Sequence, residues 1–497
     1  MAKDPRWDGK AQISANAKKR SRRRRETQRS LAEAQALIGR RRNDLRPDLK
    51  LIHVPLVDLR SAKRRLHFED ETHVLEISAS IEAFGVSRPI LITEDRTIID
   101  GHFVVAAARR LGLGSLPCIV VDHLSADEAR LLAIAINRLP QKATWDLPRL
   151  TFELQELIAC DLPVEVTGFS FPQIDQMLQE EDTGEPDPGP LEADPRLAAV
   201  SAAGDLWGLG PHRILCGNAL VGAHYDRLIG GIQVRMVLTD MPYNVKVRGH
   251  ITRGDHEEFR MASGEMSDEE FIGFIIGWIR LASDHLVDGG LLATFIDWRG
   301  LESTLSVGRS LGFDLLNIIV WAKTNAGMGS LWRSAHEMLP VFKVGDAPHI
   351  NNVELGRHGR WRSNVWHAPG ASSLGSDSRE GLKLHPTVKP VALLEDALLD
   401  VTRRGEVVLD PFLGSGSLII AAEKCGRRAF GIELEERYVD VAVRRWQHHT
   451  GAEAILEATG ETFSEVEARR QRGDGPELKR LPKPRLRICA GSSREGR

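Results

Sequence analysis

The sequence lacks the features that mark several classes of protein. None of its apolar runs approaches the roughly 18 residues that a membrane-spanning helix needs, and its N-terminus is basic and polar, unlike a signal peptide. Its five cysteines form no CxxC pair, and its 17 histidines show no ligand-like spacing with cysteines or carboxylates. We therefore expect free thiols, no disulfide framework, no metal site and no membrane association, as is typical of a cytoplasmic protein.

Charge is strongly segregated along the 497 residues, although the net charge is only -3. A block of Lys and Arg runs from Lys18 to Arg25, whereas Glu180 to Asp194 is acidic and rich in Pro and Gly. Like-charge blocks tend to stay disordered, and basic arms commonly contact nucleic-acid phosphates. We predict a disordered basic arm over 1–50 that contacts nucleic acid; a purely solubilising tail is an equally open interpretation.

The pattern of apolar residues predicts two folded regions joined by a connector. Short strands and amphipathic helices fill 51–145, where Ser125 and Glu128 form a capping-box pattern, and 146–200 reads as a helical connector followed by the acidic linker. Over 201–455 strands alternate with helices of 10–15 residues, which predicts a mostly parallel, doubly wound α/β sheet. We expect 456–497 to be a charged, disordered tail.

A glycine loop follows one of these strands. The apolar strand Glu406–Asp410 runs directly into the loop Pro411-Phe412-Leu413-Gly414-Ser415-Gly416 and then into a helix. Glycines at such a turn let a ligand approach the backbone, and Glu433, at the end of the next strand, can accept both hydroxyls of an adenosyl ribose. An ordinary tight turn is the alternative. Ile419 replaces the third glycine of a dinucleotide fingerprint, and no GK[ST] occurs, which disfavours NAD and nucleoside triphosphates.

A second strand ends in the turn Thr239-Asp240-Met241-Pro242-Tyr243. Methylation of a base amino group needs a carboxylate to accept one amino hydrogen, a fixed carbonyl to accept the other, and an aromatic face to hold the flipped base. Asp240, the Met241 carbonyl held by Pro242, and Tyr243 form such a set. The alternative is a strand that ends in an ordinary Asp/Pro turn.

The segment between these two sites, about 325–383, shows no regular periodicity of apolar residues. Arg is the usual reader of guanine edges, and Arg and Trp both suit phosphate and stacking contacts. We therefore predict that this segment reads the target DNA, unless it is a surface loop with ordinary packing tryptophans. The candidate DNA-binding residues are Arg333, Arg357, Arg360, Trp361 and Arg362.

Taken together, these motifs and their order resemble the beta arrangement of the DNA amino-methyltransferase family, which modifies N6 of adenine or N4 of cytosine. The family hallmarks are Asp-Pro-Pro-Tyr, here Asp-Met-Pro-Tyr, a Phe-x-Gly-x-Gly loop, and an HPT-x-KP segment, here His385–Pro390. The resemblance covers about 204–450. It implies a Rossmann-like S-adenosylmethionine-dependent methyltransferase sheet, in which Thr387 and Lys389 help bind the methionyl carboxylate of the cofactor.

The resemblance also implies the reaction and its partners. The methyl group would pass directly from S-adenosylmethionine to the amino group of a base in double-stranded DNA, without a metal. Asp240 in the first place of the motif favours adenine, since the cytosine enzymes usually carry serine there; N4-cytosine methylation, and RNA or protein methylation, stay open. A homodimer and a restriction, phage or plasmid partner are also left open. Met241 replaces a proline, so it retains the carbonyl and loses the fixed φ.

The stretch IIDGHFVVAAARRLG in 51–145 resembles the ParB/sulfiredoxin-like family, which implies a small α+β domain. Phe103 and Val104 stand where that family usually carries an arginine that binds a nucleotide phosphate or takes part in nuclease chemistry. We therefore interpret the domain as an accessory DNA- or partner-binding unit. The competing hypothesis is a non-catalytic, ParB-like DNA-binding protein whose methylase half has degenerated.

Overall fold

The computed structural model describes residues 47–62, 66, 68, 70–160, 162–181, 198–245, 264–324, 332–353, 362–368 and 389–473. The predicted basic arm lies almost entirely outside these residues, and so do most of the acidic linker and the chain beyond 473. The described residues separate into two compact units. One unit extends to Asp146 and includes 162–168, and the other comprises 147–160 and the described residues from Phe169 onwards.

The first unit is a small α+β fold on a sheet that has four strands in the described part of the chain. The sheet order is β1-β4-β2-β3, in which β2 is parallel to β4 and the other neighbours are antiparallel. The elements are β1 (Lys50–Pro55), α1 (Glu71–Phe84), β2 (Ile90–Ile92), β3 (Ile98–Asp100), α2 (His102–Arg110), β4 (Ser115–Val120) and α3 (Ala126–Arg138).

Local sequence signals explain the helix ends in this unit. The Asp70 side chain accepts hydrogen bonds from two backbone N–H groups of α1, and the helix stops before Gly85, whose φ of 72° suits glycine. The predicted capping box at Ser125 and Glu128 begins α3. Val105 and Ala108 of α2 pack against the sheet in a buried apolar cluster.

The second unit is built on a sheet with ten described strands, in the order β11-β9-β10-β8-β7-β12-β13-β6-β5-β14. Its helices are α4 (Leu147–Ala159), α5 (Phe171–Glu181), α6 (Gly222–Ile229), α7 (Asp268–Ser283), α8 (Leu301–Ser310), α9 (Val391–Val401), α10 (Ser417–Cys425), α11 (Glu436–Thr450) and α12 (Phe463–Arg472). Its strands are β5 (Leu206–Leu209), β6 (His212–Cys216), β7 (Val234–Thr239), β8 (Leu286–Thr294), β9 (Asp314–Lys323), β10 (His336–Val344), β11 (Val365–Ala368), β12 (Val407–Asp410), β13 (Arg428–Glu433) and β14 (Ile455–Leu456).

The middle of this sheet is parallel and buried on both faces. Strands β8, β7, β12, β13 and β6 run in one direction, whereas the hairpin partner β5 and the pair β9 and β10 introduce antiparallel neighbours. Two large apolar clusters cover the two faces, one around Trp446 and one around Trp278. The predicted α/β sheet, preceded by a small α+β domain, is confirmed.

Our prediction of a disordered tail from residue 456 onwards is wrong as far as Gly473. Thr462 and Glu465 form a capping box that begins α12, and Phe463 buries its ring in the core of the sheet. Arg469 forms two hydrogen bonds of 2.9 Å with Glu461. Charge density alone predicted disorder here, and the capping box was the overlooked signal. Among the described residues, no helix combines the length and apolar character that a bilayer crossing needs.

Candidate active site

The carboxyl ends of the parallel strands meet along one edge of the large sheet. Chain order reverses between β7 and β12: β7 continues to β8 on one side, and β12 continues to β13 on the other. At that point the Thr239 hydroxyl donates a 2.5 Å hydrogen bond to Oδ1 of the buried Asp410. Because ligands of doubly wound sheets bind in the crevice at such a switch point, this edge is where a site is expected.

The turn after β7 places an acidic and an aromatic side chain together. The Tyr243 hydroxyl donates a hydrogen bond of 2.6 Å to Oδ1 of Asp240. The Met241 side chain is only 1% exposed and belongs to the apolar cluster that contains Phe274 and Trp278 of α7. Burial therefore anchors this turn at the position where the family resemblance expects the ring of a proline.

Asn244 completes the turn and was not among the predicted site residues. Its φ of 55° is left-handed, a conformation that Asn tolerates better than most residues. Its side-chain amide donates to the Met266 carbonyl at 2.8 Å, and its carbonyl oxygen accepts from the backbone N–H groups of Gly264 and Met266. Asn244 thus ties the end of the turn to the segment that leads into α7.

Asp240 belongs to a group of charged and polar side chains that we call the Lys389 cluster: Asp240, Tyr243, Lys323, Glu337 and Lys389. The Lys389 ammonium, 6% exposed, lies 2.5 Å from Oδ2 of Asp240 and 3.1 Å from Oε2 of Glu337. Glu337 also bonds to the Lys323 ammonium, and the Tyr243 hydroxyl lies 3.1 Å from its Oε2. The rings of Phe295, Trp321 and Tyr243 surround the Lys389 ammonium.

The cluster shifts the acid–base properties of its members. Burial raises the pKa of Asp240, although the Lys389 ammonium opposes that shift. Burial would also raise the pKa of Glu337, but the ammonium groups of Lys389 and Lys323 outweigh it and lower that pKa to about 2. For Lys389, burial is outweighed by the two carboxylates, which raise its pKa. Glu337 is therefore a fixed negative charge, and Asp240 is the more basic carboxylate.

The glycine loop after β12 lies beside the end of β13. Gly414 donates its backbone N–H to the Glu433 carboxylate at 2.8 Å, and Phe412 donates its N–H to Asp410 at 3.0 Å. The Phe412 ring packs against Phe274 and Trp278. Gly416 has φ of 80°, and a Cβ at that position would lie 2.8 Å from the Cβ of Ala442, so no larger residue fits there.

The chemistry of this loop fits an adenosyl group. Burial raises the pKa of both Asp410 and Glu433 to about 7. Both are acceptor groups at the ends of adjacent parallel strands, and hydroxyl donors would favour their ionised forms. The Phe412 ring adds an aromatic surface beside them. Two carboxyl groups and an aromatic ring, which are groups that an adenosyl moiety could contact, therefore lie at the ends of neighbouring strands.

The other predicted site residues divide into four groups. Pro242 and Pro411 lie in the two turns as expected. Arg333 is exposed, whereas Thr387, Arg357, Arg360 and Trp361 lie outside the described residues. The guanidinium of Arg362 forms ion pairs with Asp396 and Asp400 of α9 and stacks on Trp366. This internal role counts against Arg362 as a DNA-binding residue.

Glu337, Lys323 and Asn244 are the residues that the sequence hypothesis missed. Asn244 directly follows the Asp-Met-Pro-Tyr turn, and its tolerance of left-handed backbone was a usable signal. Glu337 and Lys323 carry no local signal, because they lie on neighbouring antiparallel strands that are remote from the turn in sequence. Lys389 was predicted to bind a cofactor carboxylate, and here its ammonium bonds to Asp240, since two carboxylates attract it.

Family models match two stretches of the chain. The model of a DNA methylase family matches residues 234–444, which run from β7 into α11 and include both turns. A ParB-methyltransferase HTH domain model matches 148–202, which include α5 and nearly all of α4. The chain is 32% identical over 227 residues to the Type II methyltransferase M2.DpnII of Streptococcus pneumoniae, covering 42% of this chain and 81% of that protein.

Two further similarities are more distant. The chain is 28% identical over 226 residues to the Type II methyltransferase M.HinfI of Haemophilus influenzae, covering 43% of this chain and 62% of that protein. The structure also resembles the C-terminally truncated chromosome-partitioning protein ParB from Caulobacter crescentus, solved in complex with CTP-gamma-S. That similarity has a TM-score of 0.23 and 21% identity, and it covers 26% of this chain and 79% of that one.

Proposed function

This chain belongs to the DNA methylase family, and we propose that it methylates N6 of adenine in double-stranded DNA. It is an S-adenosylmethionine-dependent DNA amino-methyltransferase, and the target base is the part that we propose. The observation that carries the proposal is the Asp240–Tyr243 pair at the end of β7, tied to the glycine loop by the bond from Thr239 to Asp410. The proposed acceptor for the amino group and the proposed cofactor loop therefore follow neighbouring strands of the sheet.

The residues of the turn would bind and orient the flipped base. We propose that Asp240 accepts one amino hydrogen and the Met241 carbonyl accepts the other, which leaves the nitrogen lone pair directed at the methyl group. Stacking on Tyr243 would add about 1–3 kcal/mol and help to offset the cost of flipping. The Asp240 oxygens already accept from Tyr243 and Lys389, but each carboxylate oxygen has a second lone pair for the amino group.

S-adenosylmethionine supplies an electrophilic methyl group on a positively charged sulfur. In the transfer, the amino lone pair forms the new N–C bond, the C–S bond breaks, and its electrons stay on sulfur. The amino nitrogen then loses one proton. Asp240 is the nearest carboxylate in the proposed arrangement, and its raised pKa makes it a better proton acceptor than an exposed aspartate.

We propose that the glycine loop holds the cofactor through four features. Glu433 would accept the ribose hydroxyls, Phe412 would contact the adenine ring, and Gly414 and Gly416 would allow close approach of the backbone. Asp410 and Pro411 shape the end of β12, and Thr387 remains a proposed ligand of the methionyl carboxylate. Because the Lys389 ammonium lies between Asp240 and Glu337, the geometry favours a role for Lys389 at Asp240.

The preference for adenine rests on the carboxylate in the first place of the motif. Serine usually stands there in the cytosine enzymes of the family, and it lacks the charge that Asp240 brings to the amino nitrogen. Arg333, Arg357, Arg360 and Trp361 are the proposed contacts to DNA. We propose that the N-terminal region, whose sequence resembles the ParB/sulfiredoxin-like family, is an accessory DNA- or partner-binding unit; a ParB-methyltransferase HTH domain model matches the residues that follow it, 148–202.

The direct test is a methylation assay with unmethylated plasmid DNA and S-adenosylmethionine, followed by mass spectrometry of the digested nucleosides. We expect the wild type to produce N6-methyladenine, and we expect the methylation rate of Asp240→Ala to be at least about a hundredfold lower. The matched control is Asp314→Asn, which alters an exposed aspartate and should keep full activity. N4-methylcytosine as the product would overturn the adenine assignment.

A further inference from the structure

Glu337, on the antiparallel strand β10, contacts three other members of the Lys389 cluster. We propose that Glu337 is a positioning residue for methyl transfer: it holds the Lys389 ammonium beside Asp240 and keeps the charge around the target amino group negative. This inference rests on the proposed function, because it assigns Asp240 to the amino group. It adds a residue that lies outside both sequence motifs.

The two oxygens of Glu337 face different partners. Oε1 bonds to the Lys323 ammonium, whereas Oε2 faces both the Lys389 ammonium, at 3.1 Å, and the Tyr243 hydroxyl, at 3.1 Å. The same hydroxyl and the same ammonium bond to the two oxygens of Asp240. Asp240 and Glu337 therefore share the Lys389 ammonium as a bridging donor and flank the Tyr243 hydroxyl, whose single proton goes to the nearer Asp240. Lys323 fixes Glu337 from the other side.

The effect of this arrangement on methyl transfer depends on the net charge of the groups that face Asp240. The inner groups are Asp240, Glu337 and Lys389, whose formal charges sum to minus one when both carboxylates are ionised. Lys323 touches only the outer oxygen of Glu337, and its side chain is 23% exposed, so water weakens its effect. Without the charge of Glu337 the inner groups would sum to zero, and Lys389 would be left to Asp240 alone.

This difference in net charge affects methyl transfer. The amino nitrogen gains positive charge as its lone pair forms the bond to carbon, and nearby negative charge in a buried site stabilises that change. A Lys389 ammonium held only by Asp240 would oppose the developing charge and compete for the Asp240 lone pairs. Glu337 removes both effects, since it takes part of the Lys389 hydrogen bonding and offsets its charge.

The test uses Glu337→Gln, which keeps the shape of the side chain and removes its charge. Single-turnover methylation of plasmid DNA is measured from pH 5 to pH 9 at saturating S-adenosylmethionine, so that protonation of Asp410 and Glu433, whose pKa values burial raises to about 7, does not limit the rate through cofactor binding. S-adenosylmethionine affinity is measured by calorimetry. We expect the rate to fall at least about tenfold with cofactor affinity within about twofold of the wild type. Because a neighbouring negative charge raises the pKa of Asp240, the acid limb of the rate profile should also move to lower pH.

Two other variants separate positioning from simple destabilisation. Asp314→Asn removes an exposed carboxylate that pairs with Lys343 at 3.1 Å on the same two strands, and it should change neither rate nor pH profile. Should Glu337→Gln fold poorly, Glu337→Gln with Lys323→Met removes the partner charge as well. We expect that double variant to regain stability and still to show the low rate and the shifted limb.

Three results would overturn the inference: a Glu337→Gln rate within about twofold of the wild type, a reduced rate with an unmoved acid limb, or a double variant that regains the full rate. The wild type is assayed in parallel, so that a failure of the proposed function can be distinguished from a failure of this inference. If the wild type methylates nothing, the proposed function fails; if it methylates and Glu337→Gln equals it, only the inference fails.

Discussion

Met241 shows how a single residue can depart from a motif and still hold the turn. A proline would fix the backbone through its ring, whereas the Met241 side chain, 1% exposed, anchors the turn in the apolar cluster beneath α7. Its carbonyl does not depend on the side chain and is retained. Packing can therefore supply the rigidity that covalent geometry supplies elsewhere.

Truncation of this side chain tests that account. Met241→Ala should lower the free energy of unfolding by about 2–5 kcal/mol, because it leaves a cavity in a packed cluster, and it should slow methylation as the turn loosens. Met241→Leu, which keeps the volume, should cost less than about 1.5 kcal/mol and keep most of the rate. Urea denaturation and single-turnover assays measure both. Equal stability of the alanine variant and the wild type would refute the anchoring role.

Glu433 predicts a pH dependence of cofactor binding. Burial raises its pKa to about 7, above its ordinary value of 4.5, so the carboxyl group is protonated over a range where an exposed glutamate is ionised. Ribose hydroxyls would donate to the ionised form, so the proton must leave on binding. The Kd for S-adenosylmethionine should therefore fall as pH rises towards 7, by up to about tenfold per unit, and then level off.

Calorimetric titration between pH 5.5 and pH 8 measures this slope. Glu433→Gln cannot titrate, so it should bind more weakly and with a smaller slope, while any contribution from Asp410 or the cofactor itself remains in both proteins. Identical slopes for the wild type and the glutamine variant would show that Glu433 does not accept the ribose hydroxyls.

Elements with local signals were predictable from the sequence, and contacts between distant elements were not. The capping box of α3 joins residues three positions apart, and the strand–loop–helix pattern around Gly414 is continuous in sequence. Glu337, by contrast, reaches Tyr243 across 94 positions, and Lys389 reaches Asp240 across 149. Such contacts depend on the order of strands in the sheet, which hydrophobic periodicity does not specify.

The packing of helix α5 is another long-range feature that the sequence did not predict. The sequence predicted a helical connector here, and the structure packs α5 within the second unit through a buried ion pair. Arg427 donates to both oxygens of Asp175, at 3.1 Å and 2.8 Å, and Asp175 is 2% exposed. Arg404 adds a third contact, and the Arg403 guanidinium lies over the Phe171 ring.

Removal of the Asp175 charge should release this helix. Asp175→Asn leaves the buried Arg427 guanidinium without its counter-ion, which should cost about 3–5 kcal/mol in unfolding free energy. The exposed control Asp314→Asn should leave the urea midpoint unchanged. Circular dichroism in urea gives both midpoints. A midpoint for Asp175→Asn that matches the wild type would mean that the ion pair does not hold α5.

At the scale of the whole molecule, the doubly wound sheet brings together residues that are far apart in the sequence, such as Thr239 and Asp410, which are 171 positions apart. The proposed target turn follows β7 and the proposed cofactor loop follows β12, and these two strands are neighbours in the sheet. The sequence predicted both turns and the parallel sheet. The way in which strands β9 and β10 complete the site with Lys323 and Glu337 emerged only from the fold.

The measurement that tests the central claim most directly is modification-aware sequencing of DNA from cells that express either the wild type or Asp240→Ala. It reports the modified base, its position and the surrounding sequence together. We predict N6-methyladenine at a fixed recognition sequence in the wild-type DNA and none at that sequence with Asp240→Ala. Identical DNA from the two strains, or methylation on cytosine, would contradict the account.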